Sequence, residues 1–240
     1  MSSTIRLYFP DKIQSDLLSH LTKEQTHYVK DVMRLKIGDK LSIFNNQGEW
    51  GAIIDSYEKK GVKIKIMKKV RDKDDEKNLW LAFSPIKQTP LNFVIQKGTE
   101  LGVKKFVPIL SERTIVREIN IERIKKIIIE ASEQSNRVSV PEINKPELLK
   151  NFLSQFPKKG SLIFCDINSN KNEIKNILSK KIDGPVCILI GPEGDFSENE
   201  RKKIIDFNQT CPTSLAKNIL KVETAAIAAI TIVNYHLNLR

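Results

Sequence analysis

The sequence predicts an α/β protein in which a small β-rich module precedes a parallel sheet covered by helices. From Leu79 onward, short apolar runs alternate with helical segments, whereas residues 38–69 form a meander of strands. A run of charged residues separates the two patterns. Near-continuous apolar strands between helices are typical of parallel sheets that are buried on both faces. A chain of 240 residues is long enough for one large domain or two modest ones.

The N-terminal part is predicted to contain one short helix followed by the meander. The helix covers Lys23 to Leu35 and starts near Thr22. The predicted strands are 41–44, 50–54 and 62–66, with turns at 45–48 and 59–61. The alternation of apolar residues with lysines over 62–66 favours a half-buried strand. Residues 71–77 are charged and lack apolar anchors, which indicates a linker and predicts domains at 1–72 and 73–240.

The C-terminal part is predicted to alternate between strands and helices. The expected strands are 79–83, 106–110, 161–165 and 186–190, and the expected helices are 90–101, 121–134, 149–156 and 224–237. The first of these helices has Pro90 near its start and Gly102 just past its end, which is the usual placement of these residues.

The composition restricts the class of protein. There are 40 Lys and Arg residues against 29 Asp and Glu, a net charge of +11. This balance favours a polyanionic partner. The alternative is the mutational bias of AT-rich genomes, which produces lysine-rich proteins with the same excess of positive charge. No apolar stretch approaches the roughly 20 residues that span a bilayer, and the N-terminus lacks a signal-peptide pattern. The three cysteines show no CxxC spacing, so neither disulfides nor zinc are expected, and a cytoplasmic location fits best.

Two loops carry the strongest functional signal. Residues 187–194 (CILIGPEG) and 214–225 (SLAKNILKVETA) each lead from an apolar run through a turn into a helix. Two such turns side by side line one pocket with backbone N–H and C=O groups, which suits a small adenosine-like ligand. A single loop of this kind is equally typical of an ordinary strand-to-helix turn. The dinucleotide fingerprint, the phosphate-binding loop and the HExxH motif are all absent, which argues against those sites and against metal catalysis.

The two loops, together with three other segments, resemble a known family. The loop motifs are 190–200 (IGPEGDFSxxE) and 215–225 (LxxxILKxETA), and the other segments are 27–39 (HxxxDVMRLxxGD), 96–103 (QKGTELGV) and 130–137 (EASEQSxR). Taken in their order along the chain, these five segments are similar to those of the ribosomal RNA small subunit methyltransferase E (RsmE) family, within the SPOUT class of knotted methyltransferases. The resemblance covers nearly the whole chain.

The resemblance implies both a fold and an activity. It implies a C-terminal SPOUT α/β domain with a deep trefoil knot and an N-terminal PUA-like β-barrel that binds RNA. Knots are exceptions to the usual rules of chain topology, so strand periodicity alone does not predict one. The family is homodimeric and uses S-adenosyl-L-methionine (SAM), which becomes S-adenosyl-L-homocysteine. It methylates N3 of a uridine in the 16S rRNA of the small (30S) ribosomal subunit.

The resemblance also implies the cofactor-binding residues. They are Cys165, Asp166, Leu189, Ile190, Gly191, Pro192, Glu193, Gly194, Leu215, Ala216, Asn218, Ile219, Leu220, Glu223, Thr224 and Ala225. Core packing is the alternative role for the apolar residues, and helix capping is the alternative for Glu223. The chain departs from the family at three positions: Ala216 replaces a usual Gly, Lys221 replaces a usual Arg, and Asp195 follows Gly194 where a second Gly is common.

Candidate catalytic and RNA-binding residues follow from the chemistry of uridine N3. Its proton must leave before or during methyl transfer, and a nearby positive charge favours the anionic base. Arg137, Lys221 and Gln134 are the candidate catalytic residues, with Arg137 and Gln134 predicted to share one face of a helix with Glu130. A phosphate contact is the alternative for Arg137. The candidate RNA contacts are Arg6, His27, Arg34, Lys63, Lys65 and Arg113. The alternative interpretation of each one is a solvated surface charge without a partner role.

Three functional classes remain open from the sequence. The first is the rRNA methyltransferase, and the second is a non-catalytic RNA-binding or ribosome-assembly factor that retains the fold. The third is a small-molecule enzyme that uses the same pocket. The intact loops at Gly191 and Leu215 favour cofactor binding over the second class, and the basic N-terminal module favours RNA over the third.

Overall fold

The computed structural model describes residues 5–73, 75–169, 174 and 183–238. The chain forms two compact units. The N-terminal unit contains residues 1–75 and also takes in Ser132–Val140, whereas the C-terminal unit contains residues 76–131 and 141–240. The N-terminal unit is therefore built from two separate stretches of the sequence.

The N-terminal unit is built on a five-stranded sheet. Its strands are β1 (Arg6–Tyr8), β2 (Leu18–His20), β3 (Lys40–Asn45), β4 (Gly48–Glu58) and β5 (Gly61–Asp72). They lie in the order β1-β3-β4-β5-β2, with β1 parallel to β3 and the other pairs antiparallel. Val62, Ile64 and Ile66 of β5 are fully buried, while the lysines between them are partly exposed, as the alternation predicted.

Short turns set the register of the two hairpins in this sheet. Gly48 follows the β3–β4 turn and Gly61 follows the β4–β5 turn, and both have positive φ. The side chain of Asn45 accepts a hydrogen bond from the backbone N–H of Gln47 at 2.9 Å, which closes the first turn. Both predicted turns are therefore present where the sequence placed them.

Two predictions for this unit were wrong in their extent. The helix expected to reach Leu35 ends as α1 (Lys23–His27), and a π-helical turn follows at Tyr28–Val32. Thr22 caps α1 in a capping box with Gln25. The first two residues of the linker predicted at 71–77 are not part of a linker, because Arg71 and Asp72 are the last residues of β5. Arg71 forms an ion pair with Glu49 at 3.2 Å and so remains part of the sheet.

The C-terminal unit is an α/β structure around a parallel sheet. The strands are β6 (Leu79–Phe83), β7 (Lys105–Leu110), β8 (Glu142–Ile143), β9 (Glu147–Leu148), β10 (Ser161–Cys165), β11 (Val186–Ile190) and β12 (Thr210–Thr213). The main order is β12-β10-β11-β6-β7-β8, and β9 also pairs with β7. β11 lies between β10 and β6, parallel to both, and all five of its residues are buried. This burial explains its uninterrupted apolar sequence.

The described helices of this unit are α2 (Gln88–Glu100), α3 (Ile121–Gln134), α4 (Leu149–Gln155), α5 (Glu198–Ile205) and α6 (Val222–Asn238). The last residues of α3 belong to the N-terminal unit. A helix was expected after the loop at 187–194 without stated limits, and α5 is that helix. The sequence did not predict β12, β8, β9 or the short strands β1 and β2. None of the helices in the described ranges has both the length and the apolar character needed to cross a bilayer.

Candidate functional site

A cleft of about 750 Å³ lies at the carboxyl ends of the central strands of the C-terminal unit. Its lining comes from the start of α2, the residues after β10, the turn after β11 and the loop that joins β12 to α6. Ligands bind at this end of the strands in open α/β sheets, because the loops there project beyond the sheet. The order β12-β10-β11 brings three of these segments side by side.

Most of the residues predicted to bind a cofactor line this cleft. They are Cys165, Asp166, Ile190, Gly191, Pro192, Glu193, Leu215, Ala216, Asn218, Ile219, Leu220, Glu223 and Ala225, and Lys221 lies among them. Leu189, Gly194 and Thr224 are outside the lining. Leu189 is fully buried in the core, and Thr224 is exposed on α6. Their direct contact with a cofactor remains a prediction.

The turn after β11 is shaped by Gly191 and Asp195. A Cβ atom at Gly191 would lie 2.9 Å from Cε2 of the buried Phe196, so this position requires glycine for packing. Asp195 has a φ of 59°, in the left-handed region that aspartate tolerates better than most residues. Its Oδ1 accepts a hydrogen bond from the Phe196 N–H at 2.8 Å. This bond explains how aspartate replaces the glycine common in the family.

Helix α5 anchors the same turn from its other end. Ser197 is the N-cap and forms a capping box with Glu200. The buried Glu200 carboxylate accepts from the Ser197 N–H and also from the Glu112 N–H, at 2.9 Å. In addition, Arg113 donates to the backbone oxygen of Gly194 at 2.9 Å. The turn is therefore tied to the segment that follows β7.

The wall after β10 is formed by Cys165 and Asp166. The Asp166 carboxylate is fully buried and receives a bidentate contact from Arg201 of α5, the shortest at 2.7 Å. Hydrogen bonding to Asp166 raises the pKa of the Arg201 guanidinium. Burial, with a smaller effect of Cys211, raises the pKa of the Cys165 thiol, so that thiol stays protonated near neutral pH. Cys165, which is partly exposed, therefore lines the cleft as a neutral thiol.

The loop between β12 and α6 presents a mixed surface to the cleft. Ala216 is exposed and does not adopt a positive φ, so this position does not require the backbone freedom of glycine. Ile219 is 84% exposed, which is unusual for a large apolar side chain. Lys221 precedes α6, and its backbone oxygen accepts from the Ala225 N–H at 2.8 Å. Glu223 lies in the first turn of α6, where the helix dipole favours a carboxylate.

Comparison with known proteins identifies the family. An RNA methyltransferase domain model matches residues 73–234, and an RNA methyltransferase PUA domain model matches residues 21–67. The ribosomal RNA small subunit methyltransferase E of Rickettsia conorii is 34% identical, and the alignment covers 94% of this chain and 93% of that protein. The chain belongs to the ribosomal RNA small subunit methyltransferase E family.

Solved RsmE-like structures agree with this assignment. The ribosomal RNA small subunit methyltransferase E of Neisseria gonorrhoeae, bound to S-adenosyl methionine, is 26% identical with a TM-score of 0.85, and 97% of each chain is covered. A putative methyltransferase from Legionella pneumophila, in complex with the cofactor SAM, is 31% identical with a TM-score of 0.84, also over 97% of each chain. These likenesses extend over both units of the chain.

The two candidate catalytic residues near the end of α3 are not placed as the helical spacing predicted. α3 ends at Gln134, and Asn136 then adopts a φ of 62°, so Arg137 does not share a helical face with Glu130 and Gln134. Gln134 is exposed, whereas Arg137 is buried and donates to the Ser139 hydroxyl at 3.1 Å. Both residues belong to the N-terminal unit, and neither lines the cleft. A catalytic role for them remains a prediction.

Arg6, a candidate RNA contact, is committed to contacts inside the N-terminal unit. Its side chain is only 10% exposed and forms a bidentate pair with Glu49, each bond 3.1 Å long. The same guanidinium donates to the backbone oxygens of Ser132, Glu133 and Arg137. These five bonds match the five N–H donors of arginine. A phosphate contact by this guanidinium would require one of them to break.

The remaining candidate RNA contacts have more exposed side chains. His27 pairs with Asp31 at 2.8 Å in the N-terminal unit, and Arg34 is exposed with a φ of 54°. Lys63 and Lys65 lie partly exposed on β5, and Lys63 pairs with Glu58. Arg113 is exposed in the C-terminal unit, next to the Gly194 turn.

Sequence reasoning missed one wall of the cleft. Thr89, Pro90 and Phe93 of α2 line it, together with Ile167 after β10. The spacing of three and four residues along α2 places the first three on one helical face. No motif marks them. Thr89, Phe93 and Ile167 are exposed and Pro90 is partly exposed, which distinguishes them from core residues but is not visible in the sequence pattern.

Proposed function

We propose that the protein is a SAM-dependent 16S rRNA methyltransferase that methylates N3 of a uridine in the small (30S) ribosomal subunit. The observation that carries this proposal is the cleft itself, which combines the loops at Gly191 and Leu215 at the carboxyl ends of adjacent strands. Membership of the RsmE family supports both the reaction and the substrate.

The chemistry of the cleft fits SAM. Backbone groups of the two loops are available to an adenosine moiety, and Leu215, Ile219 and Leu220 offer apolar contact. Glu193 and Glu223 line the cleft, and no ion-pair partner for either occurs among the described residues. Such carboxylates suit a ligand that carries ammonium and sulfonium charges. The hydroxyl of Thr213, directly before the second loop, is buried without a hydrogen-bond partner in the described part of the chain.

The residues of the cleft orient the reactants and exclude water. When bound, SAM supplies an electrophilic methyl group on a sulfonium. Methyl transfer needs donor and acceptor aligned at close range, and a rigid pocket provides that alignment. Lys221 is the cationic side chain among the lining residues, and its charge favours the N3-deprotonated uracil. The described residues contain no group of three or more potential His, Cys, Asp or Glu metal ligands, and the proposed reaction needs none.

The larger assembly is part of the same proposal. We assign a deep trefoil knot to the C-terminal unit, a PUA-like barrel to the N-terminal unit, and a homodimer to the whole protein, because these accompany the RsmE family. Domain limits at 1–72 and 73–240, a cytoplasmic location, and catalytic roles for Arg137, Gln134 and Lys221 belong to this proposal too. RNA contacts by His27, Arg34, Lys63, Lys65 and Arg113 would set the register of the substrate on its phosphate backbone.

A methyl-transfer assay tests the proposal directly. Purified protein is mixed with methyl-labelled SAM and with either undermethylated 30S subunits or naked 16S rRNA. We expect label in one uridine of the rRNA, located at N3 by nucleoside analysis. Measurable SAM binding without label in either substrate would contradict the methyltransferase and favour a non-catalytic RNA-binding factor. Label at another nucleoside would retain the enzyme class and overturn the assigned acceptor.

A further inference from the structure

Phe93 is more exposed than the other phenylalanine side chains of the protein. All ten phenylalanines of the chain lie in the described ranges, and the other nine are buried or partly buried. Phe93 is 46% exposed, while its neighbours Leu91, Val94 and Ile95 on α2 are buried. A phenylalanine left partly in water forgoes part of the free energy that its burial would contribute. An exposed apolar surface that lies inside a cleft indicates a binding contact.

Phe93 belongs to the wall of the cleft that the two loops do not supply. Thr89, Pro90 and Phe93 line the cleft from one face of α2, and the loops at Gly191 and Leu215 supply other parts of the lining. The loops carry the backbone groups and the carboxylates that suit SAM. The face of α2 therefore offers an aromatic surface to a second ligand in the same cleft.

The charges of the cleft determine which part of an RNA enters it. Four carboxylates line it (Asp166, Glu193, Asp195 and Glu223) against one lysine, Lys221, and Asp166 is paired with Arg201. A phosphate group would be repelled by this surface. A nucleobase is uncharged and flat, so it is the part of a nucleotide that this lining accepts.

We infer that Phe93 is the stacking platform for the uracil that receives the methyl group. This inference rests on the proposed function. N3 lies on the base-pairing edge, so the uridine must be unpaired and turned out of its helix before it reacts. Unpaired bases are held on proteins largely by stacking on aromatic side chains. Phe93 holds the plane of the base, whereas its identity is read by polar groups elsewhere, because phenylalanine has no hydrogen-bonding group.

Substitution of Phe93 separates stacking from simple apolar contact. Loss of one base–aromatic stack, worth about 1–3 kcal/mol, corresponds to about 5- to 150-fold weaker use of the substrate. We expect Phe93→Ala and Phe93→Leu to raise the KM for rRNA within this range and to leave SAM affinity within about twofold of the parent. Phe93→Tyr and Phe93→Trp should restore the parental KM. Ile115→Ala is the matched control, because Ile115 is 83% exposed and lies outside the cleft.

A binding measurement makes the result independent of turnover. The fluorescence of Phe93→Trp is recorded with S-adenosyl-L-homocysteine and a short single-stranded uridine oligonucleotide, with the parent protein correcting for Trp50 and Trp80. We expect quenching specific to the variant. If the parent labels no rRNA, the proposed function fails, while the quenching still decides whether a base stacks here.

Three results would overturn the role of Phe93. If Phe93→Leu matches the parent, the residue only fills space. If Phe93→Ala weakens SAM binding as much as it weakens rRNA use, the side chain belongs to the cofactor wall. If Phe93→Ala changes the oligomeric state in analytical ultracentrifugation, the residue contacts another copy of the chain.

Discussion

At the scale of single residues, the two glycines of the first loop have different physical roles. A side chain at Gly191 would meet the ring of Phe196, which is itself buried in the core of the C-terminal unit. At Gly194, a Cβ atom would approach nothing closer than Cδ of Arg113, at 3.9 Å. The motif therefore contains one glycine required by packing and one that tolerates a methyl group.

This difference gives a paired prediction. Gly191→Ala should displace Phe196, cost about 1–3 kcal/mol of unfolding free energy as overpacking does, and weaken SAM binding. Gly194→Ala is the control and should change either quantity little. Urea unfolding and calorimetric titration with SAM measure the two effects. Equal losses in both variants would contradict the packing explanation.

At the scale of secondary-structure elements, Arg6 joins β1 to a segment more than a hundred residues away. Its guanidinium bonds to Glu49 of β4 and to three backbone oxygens between Ser132 and Arg137. Arg71 of β5 adds a bond to the Asn136 backbone oxygen at 2.6 Å and a pair with Glu49. These contacts explain why Ser132–Val140 belongs to the N-terminal unit.

We therefore predict that Arg6 acts through stability. Arg6→Ala should lower the unfolding free energy by about 3 kcal/mol, because it leaves the buried Glu49 with Arg71 as its remaining partner. Arg6→Lys should restore little, since an ammonium cannot reproduce the planar fork. Arg117→Ala, at an exposed arginine, is the control. Chemical denaturation checks the order of the three variants. An Arg6→Ala protein of parental stability but weaker RNA binding would instead support a direct RNA contact.

The hairpin of β4 and β5 carries a pH-dependent contact. Hydrogen bonds from His20 and then from Lys63 lower the pKa of Glu58 from 4.5 to about 2. A carboxyl whose pKa is depressed in the folded state stabilises the protein above its unfolded pKa, and this contribution is lost as the pH falls from 4.5 to about 2. Glu58→Gln should therefore flatten the dependence of stability on pH in this window. Unfolding curves between pH 5 and pH 2 measure it, and parallel curves for parent and variant would contradict the contact.

At the scale of the whole molecule, the net charge of +11 should govern how rRNA is held. Each phosphate neutralised on single-stranded RNA contributes a slope of about −0.7 to the dependence of log affinity on log salt. With about three such contacts, rRNA affinity should fall about tenfold or more between 50 and 200 mM salt. SAM affinity should change much less over that range. Lys65→Ala should reduce the slope if that lysine contacts a phosphate, and filter binding at several salt concentrations would measure it.

The elements found from the sequence were those whose burial repeats regularly along the chain. β11 is apolar throughout and was predicted with its observed limits. The alternation over 62–66 marked the first half of β5, but the strand continues to Asp72, where the alternation has ended. β1, β2 and β12 have three or four residues each, too few for a period to be recognised. The π-helical turn at Tyr28–Val32 follows a helical pattern in sequence, so its different hydrogen bonding was not visible there.

The sequence by itself determined the α/β class, the family resemblance and the two loops that line the cleft, because these depend on local patterns and on short motifs. Only the tertiary structure decided that Arg137 is buried and is not a lining residue of the cleft, and that Arg6 bonds within the N-terminal unit. It also decided that Phe93 lines the cleft together with the loops and that Asp195 takes a left-handed φ. The physical reason is that these properties depend on distances between residues far apart in the chain, or on a backbone angle that a neighbouring contact stabilises.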